Sequence, residues 1–277
     1  MCQYIGLMKL LSVIPISRGI NKETLSYFTG SDITVGSVVK VPLRKKIIPA
    51  IVISAEEVSD VKAEIKNADF ETRKVEKLKS SSHKIKTFIS PSGIGIYGNG
   101  EKEWCEENHA HGKDFLARVC EQWEAAAMKM ESLGIRVVIF RQGIVLGNDG
   151  GALPVMARPV KLFAGAPLGS GLQYLSWIHI DDLCRLYVHA IKTETMRGVY
   201  NAVAPNPVTN KDFTKTLGTL LHRPVWPFAV PSYILKIFLG EQASIVLDGQ
   251  RVVNKKIISE WFIFNYSELE GTLRALY

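Results

Sequence analysis

The sequence predicts an α/β chain: part of a parallel sheet followed by a helical C-terminal region, behind a small N-terminal β domain. Three observations carry this. Residues 84–150 read strand, amphipathic helix, strand, the order of a βαβ unit. Two later segments open on helix-start patterns, Thr209-x-x-Asp212 and Ser267-x-x-Glu270. Roughly the first eighty residues lack that alternation and hold short β-rich runs instead.

Composition sets the frame. At 277 residues, 47% hydrophobic and 22% charged, the chain suits one large or two modest globular domains. The net charge is +7, and residues 1–83 hold thirteen Lys/Arg against nine Asp/Glu, so +4 of it lies there. That balance permits an anionic partner without demanding one. Cys2, Cys105, Cys120 and Cys184 show no C-x-x-C spacing and read as reduced thiols, with neither a disulfide framework nor a metal site. The apolar stretch Leu10–Ile16 is short, contains Pro15 and lacks an A-x-A cleavage pattern, so neither a signal peptide nor a membrane span is expected. The expected location is the cytoplasm.

In the N-terminal segment, Val35–Leu43 and Ile47–Ile53 flank Arg44-Lys45-Lys46 and read as a hairpin with a basic tip. Pro42 and Pro49 demote both runs toward edge strands, because proline has no N–H for a ladder. Leu10–Ile16 adds a third strand. Beyond Ala55 charges of both signs alternate until Ser80-Ser81-Ser82, a serine run that reads as a linker. The expected division is 1–79, a linker at 80–83, 84–204, and a helical region at 205–277.

Further on, Ile85–Ser90 is a strand entering Ser92–Gly98, where Gly93, Gly95 and Gly98 spell G-x-G-x-x-G. A dinucleotide turn requires a helix to open there, so that free N–H groups meet the pyrophosphate. Here Glu101, Glu103, Glu106 and Glu107 follow instead, and carboxylates beside a pyrophosphate repel it. Asp114–Met130 reads as a helix whose inward stripe is Phe115, Leu116, Val119, Cys120, Trp123, Ala127 and Met130. Ile135–Phe140 is an apolar run too short for a helix and reads as a buried strand; Arg141–Gly147 follows and ends in the Asn148–Gly151 turn. Asp181 reads as the cap of a helix with Leu183, Leu186, Tyr187, Ala190 and Ile191 on one face.

Two resemblances follow from these residues. The segment "LSVIPISRGI…LSYFTGSDITVGSVVKVPLRKKIIPAIVIS" resembles, over residues 8–79, the N-terminal DNA-binding domain of primosomal protein N′. That resemblance implies DNA contact through Arg44, Lys45 and Lys46, although no G-x-x-x-x-G-K-[ST] phosphate loop accompanies it. The motifs "FISPSGIGIYG", "WEAAA", "GIRVVIFRQGIVLGNDGGALPVM", "PLGSGLQYLSWIHIDDL", "NAVAPNPVTNKDF", "LHRP" and "GQRVVNKK" resemble, over residues 84–277, the NAD(P)-dependent epimerase-like proteins. These form an atypical branch of the extended short-chain dehydrogenases with a C-terminal helical domain of its own.

The second resemblance implies a Rossmann-type sheet, NADP as cofactor and an undefined small-molecule substrate. It implies Ser92 and Tyr97 as catalytic residues, Arg141, Gly143 and Ile144 beside the cofactor, and Trp177 and His179 beside the substrate. Each also has a structural reading. Ser92 can satisfy backbone in a tight turn and Tyr97 can pack in the core. His179, between Ile178 and Ile180, suits a half-buried hydrogen-bonded role.

Two departures from the family pattern matter. The Tyr and Lys that short-chain dehydrogenases place four residues apart fall here on Leu116 and Cys120, which cannot move the proton. The opening strand–helix units, with the glycine turn that anchors the cofactor, are replaced by the N-terminal segment. The reading is therefore an epimerase-like protein, truncated and catalytically impaired, with a homodimer or other partner covering the exposed sheet edge. The alternatives are a DNA-binding module carrying an inert passenger, or a fusion near Ser82–Lys84 with no joint function.

Overall fold

The computed structural model describes residues 9–15, 25–29, 35, 38–43, 46–57, 73–74, 85–240 and 243–277. It divides into two compact units, residues 1–88 with 129–136, and residues 89–128 with 137–277.

In the first unit, β1 (Lys9–Pro15), β2 (Leu25–Thr29), β3 (Val38–Leu43), β4 (Lys46–Glu57) and β5 (Arg73–Lys74) form one sheet in the order β3-β4-β1-β2-β5. The hairpin is β3–β4, with Val39 opposite Ala50 and Leu43 opposite Lys46. Val39, Val41, Ala50 and Val52 are buried, the period-two pattern of a strand with one face inward. Pro42 is on an edge strand as expected, but Pro49 is not: β4 lies between β3 and β1. Among the described residues β1 pairs with β4 as far as Ala50, and Pro49 is paired with Lys40 of β3. Arg44 and Lys45 lie outside the described residues, as do Ser80-Ser81-Ser82.

The second unit is built on parallel pairing. β6 (Thr87–Gly93), β7 (Gly100–Cys105), α1 (Phe115–Met128), β8 (Arg136–Gln142) and β9 (Ile144–Leu146) are followed by α2 (Ala152–Lys161). Next come β10 (Tyr174–Leu175), β11 (Trp177–His179), α3 (Ile180–Lys192), β12 (Gly198–Ala202), β13 (Val208–Thr209) and α4 (Asn210–Leu220). The chain closes with α5 (Ser232–Leu239), α6 (Ala243–Leu247), β14 (Gln250–Val252), α7 (Lys255–Ser259) and α8 (Leu269–Leu276).

The central sheet runs β12-β8-β6, with β12 parallel to β8. Parallel pairs β11–β9 and β14–β7 extend the architecture. Val137, Val138, Ile139 and Phe140 of β8 are all fully buried, which is why that run is continuously apolar. The fold is α/β with a parallel sheet and a helical C-terminal region. No helix among the described residues is long and apolar enough to cross a membrane.

Three local expectations change. α1 buries Ala117, Cys120, Glu124 and Ala127, whereas Phe115 and Trp123 are 71% and 57% exposed. The helix is rotated from the apolar stripe because Glu124 turns inward to an arginine. α3 is capped by His179, whose Nδ1 accepts the Asp181 backbone N–H at 3.0 Å; Asp181 already lies in the first turn, where its charge suits the helix dipole. α8 begins one residue later than the Ser267 pattern implies, with Glu268 at the cap position and no side-chain cap bond. The Thr209–Asp212 box holds: Thr209 Oγ1 accepts the Asp212 N–H at 3.1 Å.

Candidate functional site

The site starts from a turn and a helix face. β6 delivers Ser92 and then tightens into a 3-10 turn, Ile94–Tyr97, so Gly93–Gly98 opens no α-helix. Gly98 has φ +64° and Gly112 packs onto it so closely that a Cβ on Gly112 would lie 2.6 Å from the Gly98 Cα. Glycine is needed at both places for backbone contact. The turn does not fit a pyrophosphate: it lacks the helix N-terminus, and the Gly112 N–H is spent on the Ile96 carbonyl at 2.8 Å.

Glu124, turned inward on α1, accepts two hydrogen bonds from Arg141 at the end of β8, Nε to Oε1 and Nη2 to Oε2, each 2.8 Å. Ser92 Oγ donates to the same Oε1 at 2.8 Å. Arg141 Nη1 donates to the Tyr97 hydroxyl at 3.0 Å and to the Glu107 carbonyl at 2.9 Å. Tyr97 donates in turn to Asn201 Oδ1 at 2.6 Å. Asn201 is fixed by its own N–H to Glu107 Oε1 at 2.9 Å and by its amide to the Val253 carbonyl at 3.0 Å. His111 reaches the edge, 3.2 Å from Arg141 Nη2 and 2.7 Å from Glu121 Oε1.

Charge and burial define what this network can do. Burial alone would lower the Arg141 pKa, yet the hydrogen bonds it donates to Glu124 carry it above its ordinary value. Burial pushes the Tyr97 phenol up to about 12, against the opposing pull of Arg141, so Tyr97 is a neutral group at physiological pH. Cys120 is buried beside Gly93, and burial raises its thiol pKa. Among the described residues no three His, Cys, Asp or Glu side chains form a group that could hold a metal ion.

The structure therefore joins Ser92, Tyr97 and Arg141 in one network. Gly143 and Ile144 follow in chain, with the Gly143 N–H on the Ala202 carbonyl and the Ile144 N–H on the Ser176 carbonyl. A Cβ at Gly143 would lie 2.3 Å from the Ser176 oxygen, so close strand approach explains that glycine. Trp177 and His179 do not join the network. Trp177 is 1% exposed in a core cluster with Leu146, Phe213 and Leu273, its indole N–H on the Asn206 carbonyl. His179 stacks on Tyr266 with ring centroids 3.7 Å apart.

Glu124 and Asn201 were not singled out from sequence as site residues. Glu124 carried a signal: it is a carboxylate in phase with Ala117, Cys120 and Ala127. Asn201 opens the motif NAVAPNPVTNKDF, but its contacts come from residues far along the chain and give that position no role in the sequence. A separate cavity of 740 Å³ is lined by Gly169, Ser170, Ser232, Lys236, Ser244 and Asp248, none of them in this network.

Comparison with known proteins now bears on these residues. Residues 7–202 match the NAD dependent epimerase/dehydratase family, and residues 230–276 match a domain of unknown function, DUF1731. The family match thus includes the N-terminal segment as well as the motifs from residue 84 onward. The chain is 44% identical over 188 residues to the chloroplastic SDR39U1 homolog of Arabidopsis thaliana, covering 68% of this chain and 54% of that protein. To the epimerase family protein YfhF of Bacillus subtilis it is 41% identical over 207 residues, 74% of this chain and 68% of the relative. A crystal structure of human SDR39U1 with NADPH superposes with TM-score 0.64 at 30% identity, covering 71% of this chain and 66% of that one. The chain thus spans about half to two thirds of the length of these relatives.

Proposed function

The chain belongs to the NAD dependent epimerase/dehydratase family, and from that premise we propose that it is an NADP-dependent oxidoreductase acting on a hydroxyl-bearing small molecule. The observation that carries the reading is Ser92. Its proton is committed to Glu124, so its oxygen offers lone pairs to a substrate hydroxyl. Glu124 and Arg141 hold that orientation, and Tyr97 and Asn201 hold Arg141. Both hydrogen-bonding directions of Tyr97 are taken and its pKa is high, which makes it a positioning residue rather than a base. Trp177 and His179 serve core packing and the cap of α3 instead.

NADP is supported by the human relative solved with NADPH. A nicotinamide would supply the hydride acceptor or donor, and Arg141, Gly143 and Ile144 lie on the segment that would flank it. The Gly93–Gly98 turn is not its phosphate site. The test is titration with NADPH followed by nicotinamide fluorescence, together with a Ser92→Ala variant. Saturable binding in both proteins, with turnover lost only in the variant, supports the reading. No saturable change at about millimolar cofactor, roughly the −4 kcal/mol level, ends it.

A second reading concerns residues 8–79. The β3–β4 hairpin, with Leu43 opposite Lys46, supports it. In that reading the hairpin contacts DNA through Arg44, Lys45 and Lys46. Binding to a 3′-ended fork should weaken steeply with salt as phosphate neutralisation releases counterions. Unchanged binding after replacing all three with Ala counts against it.

A further inference from the structure

Arg251 sits on β14, next to Val252, which is fully buried in the cluster that holds Ile96, Tyr97 and Cys105. Strand alternation turns Arg251 to the other face. There its guanidinium carbon lies 3.8 Å from the Trp104 ring centroid and 4.6 Å from that of Tyr174. The strand beneath is firmly held: Ser176 Oγ donates to the Gln250 carbonyl at 2.8 Å and accepts the Val252 N–H at 3.0 Å. The Gln250 amide donates to the Gly98 carbonyl at 2.6 Å. Arg251 Nε is shut from water and has no hydrogen-bond partner among the described residues.

The other arginines of this unit with close carboxylates show what Arg251 lacks among the described residues. Arg141 is paired to Glu124, Arg185 to Asp182 and Arg274 to Glu270. Arg251 is fastened by aromatic rings instead. Aromatic contact orients a guanidinium and attracts its charge, but satisfies none of its N–H donors. A guanidinium held against rings recognises partners along its edge, where the planar fork matches a carboxylate or a phosphate. Nε itself has no accessible surface, so an incoming acceptor meets the rest of the guanidinium fork.

We propose that Arg251, held by Trp104 and Tyr174, anchors an oxyanion group, carboxylate or phosphate, of a small-molecule ligand. The strand is held before the ligand arrives, and both rings already lie against the guanidinium. It concerns the charge of the ligand and stands independently of nicotinamide binding.

The test titrates the full chain with inorganic pyrophosphate and, separately, with tricarballylate, following the Arg251 Nε–H resonance assigned with an Arg251→Lys variant. A saturable shift with at least one anion is expected, and which anion gives it identifies phosphate or carboxylate. Arg251→Met, which keeps an unbranched side chain, should weaken binding measured by titration calorimetry at least about tenfold. No saturable shift with either anion, or equal binding by Arg251→Met, overturns the proposal. Should Arg251→Met fail to fold, the wild-type resonance alone decides. A parallel NADPH titration separates the two ideas, since anion binding without NADPH binding sinks only the cofactor reading.

Discussion

Glu124 and Arg141 meet through two parallel hydrogen bonds with both side chains almost closed to water, 10% and 3% exposed. The pair is the hub of the candidate site, since Ser92 attaches at the carboxylate and Tyr97 at the guanidinium. A buried pair of this kind adds little net stability when intact, but removing one partner strands the other's charge. Glu124→Ala should therefore cost about 3–5 kcal/mol of unfolding free energy. Urea denaturation measures it. The double variant Glu124→Leu with Arg141→Met should recover much of the loss, and a strictly additive double variant would contradict the pairing.

Asp182 has no exposed surface and accepts the backbone N–H groups of Asn265 at 3.1 Å and Tyr266 at 2.9 Å, as well as a hydrogen bond from Arg185. One carboxylate thus fastens the segment after α7 onto the start of α3. Asp182→Ala should cost about 3 kcal/mol, the scale of hydrogen bonds to a buried charged group. Hydrogen exchange should show the Asn265 and Tyr266 amides losing protection before the β8 amides do.

Trp261 adopts φ +61° although it is 89% exposed, so a bulky side chain occupies left-handed backbone with no packing in return. That conformation costs an L-residue about 1–2 kcal/mol and costs glycine almost nothing. Trp261→Gly should stabilise the protein by about 1 kcal/mol, the strain relieved less the added freedom of the unfolded chain. A lower melting temperature in the variant would show that the ring has an unrecognised partner.

His179 carries a depressed pKa, chiefly because burial disfavours its charged form. The unfolded chain therefore binds this proton at a higher pH than the folded one. Its contribution to stability is complete above the ordinary value of 6.5 and is lost as pH falls toward the folded pKa. Protonation also removes the Nδ1 lone pair that caps α3. Stability measured from pH 7 to pH 5 should fall in the wild type and less steeply in His179→Asn, whose side chain can still cap.

Much of the fold was legible because it is written locally. The continuous apolar run of β8, the hairpin β3–β4 and the Thr209–Asp212 box depend on neighbours a few residues apart, and all three formed where the residues indicate. The face of α1 is legible only in part: Cys120, Ala127 and Met130 of its apolar stripe are buried, and Phe115 and Trp123 are exposed. Counting apolar residues favoured Phe115 and Trp123, while the structure turns Glu124 inward.

Steric and capping rules over short spans set the α/β order and keep an α-helix from opening at Gly93–Gly98, and the motifs carry the family likeness. The network arises from packing. Ser92 and Glu124 are 32 positions apart, Glu124 and Arg141 are 17, and Tyr97 and Asn201 are 104. A buried carboxylate is tolerated only where an opposite charge meets it, and that meeting is set by how β6, α1, β8 and β12 pack, which no local pattern contains.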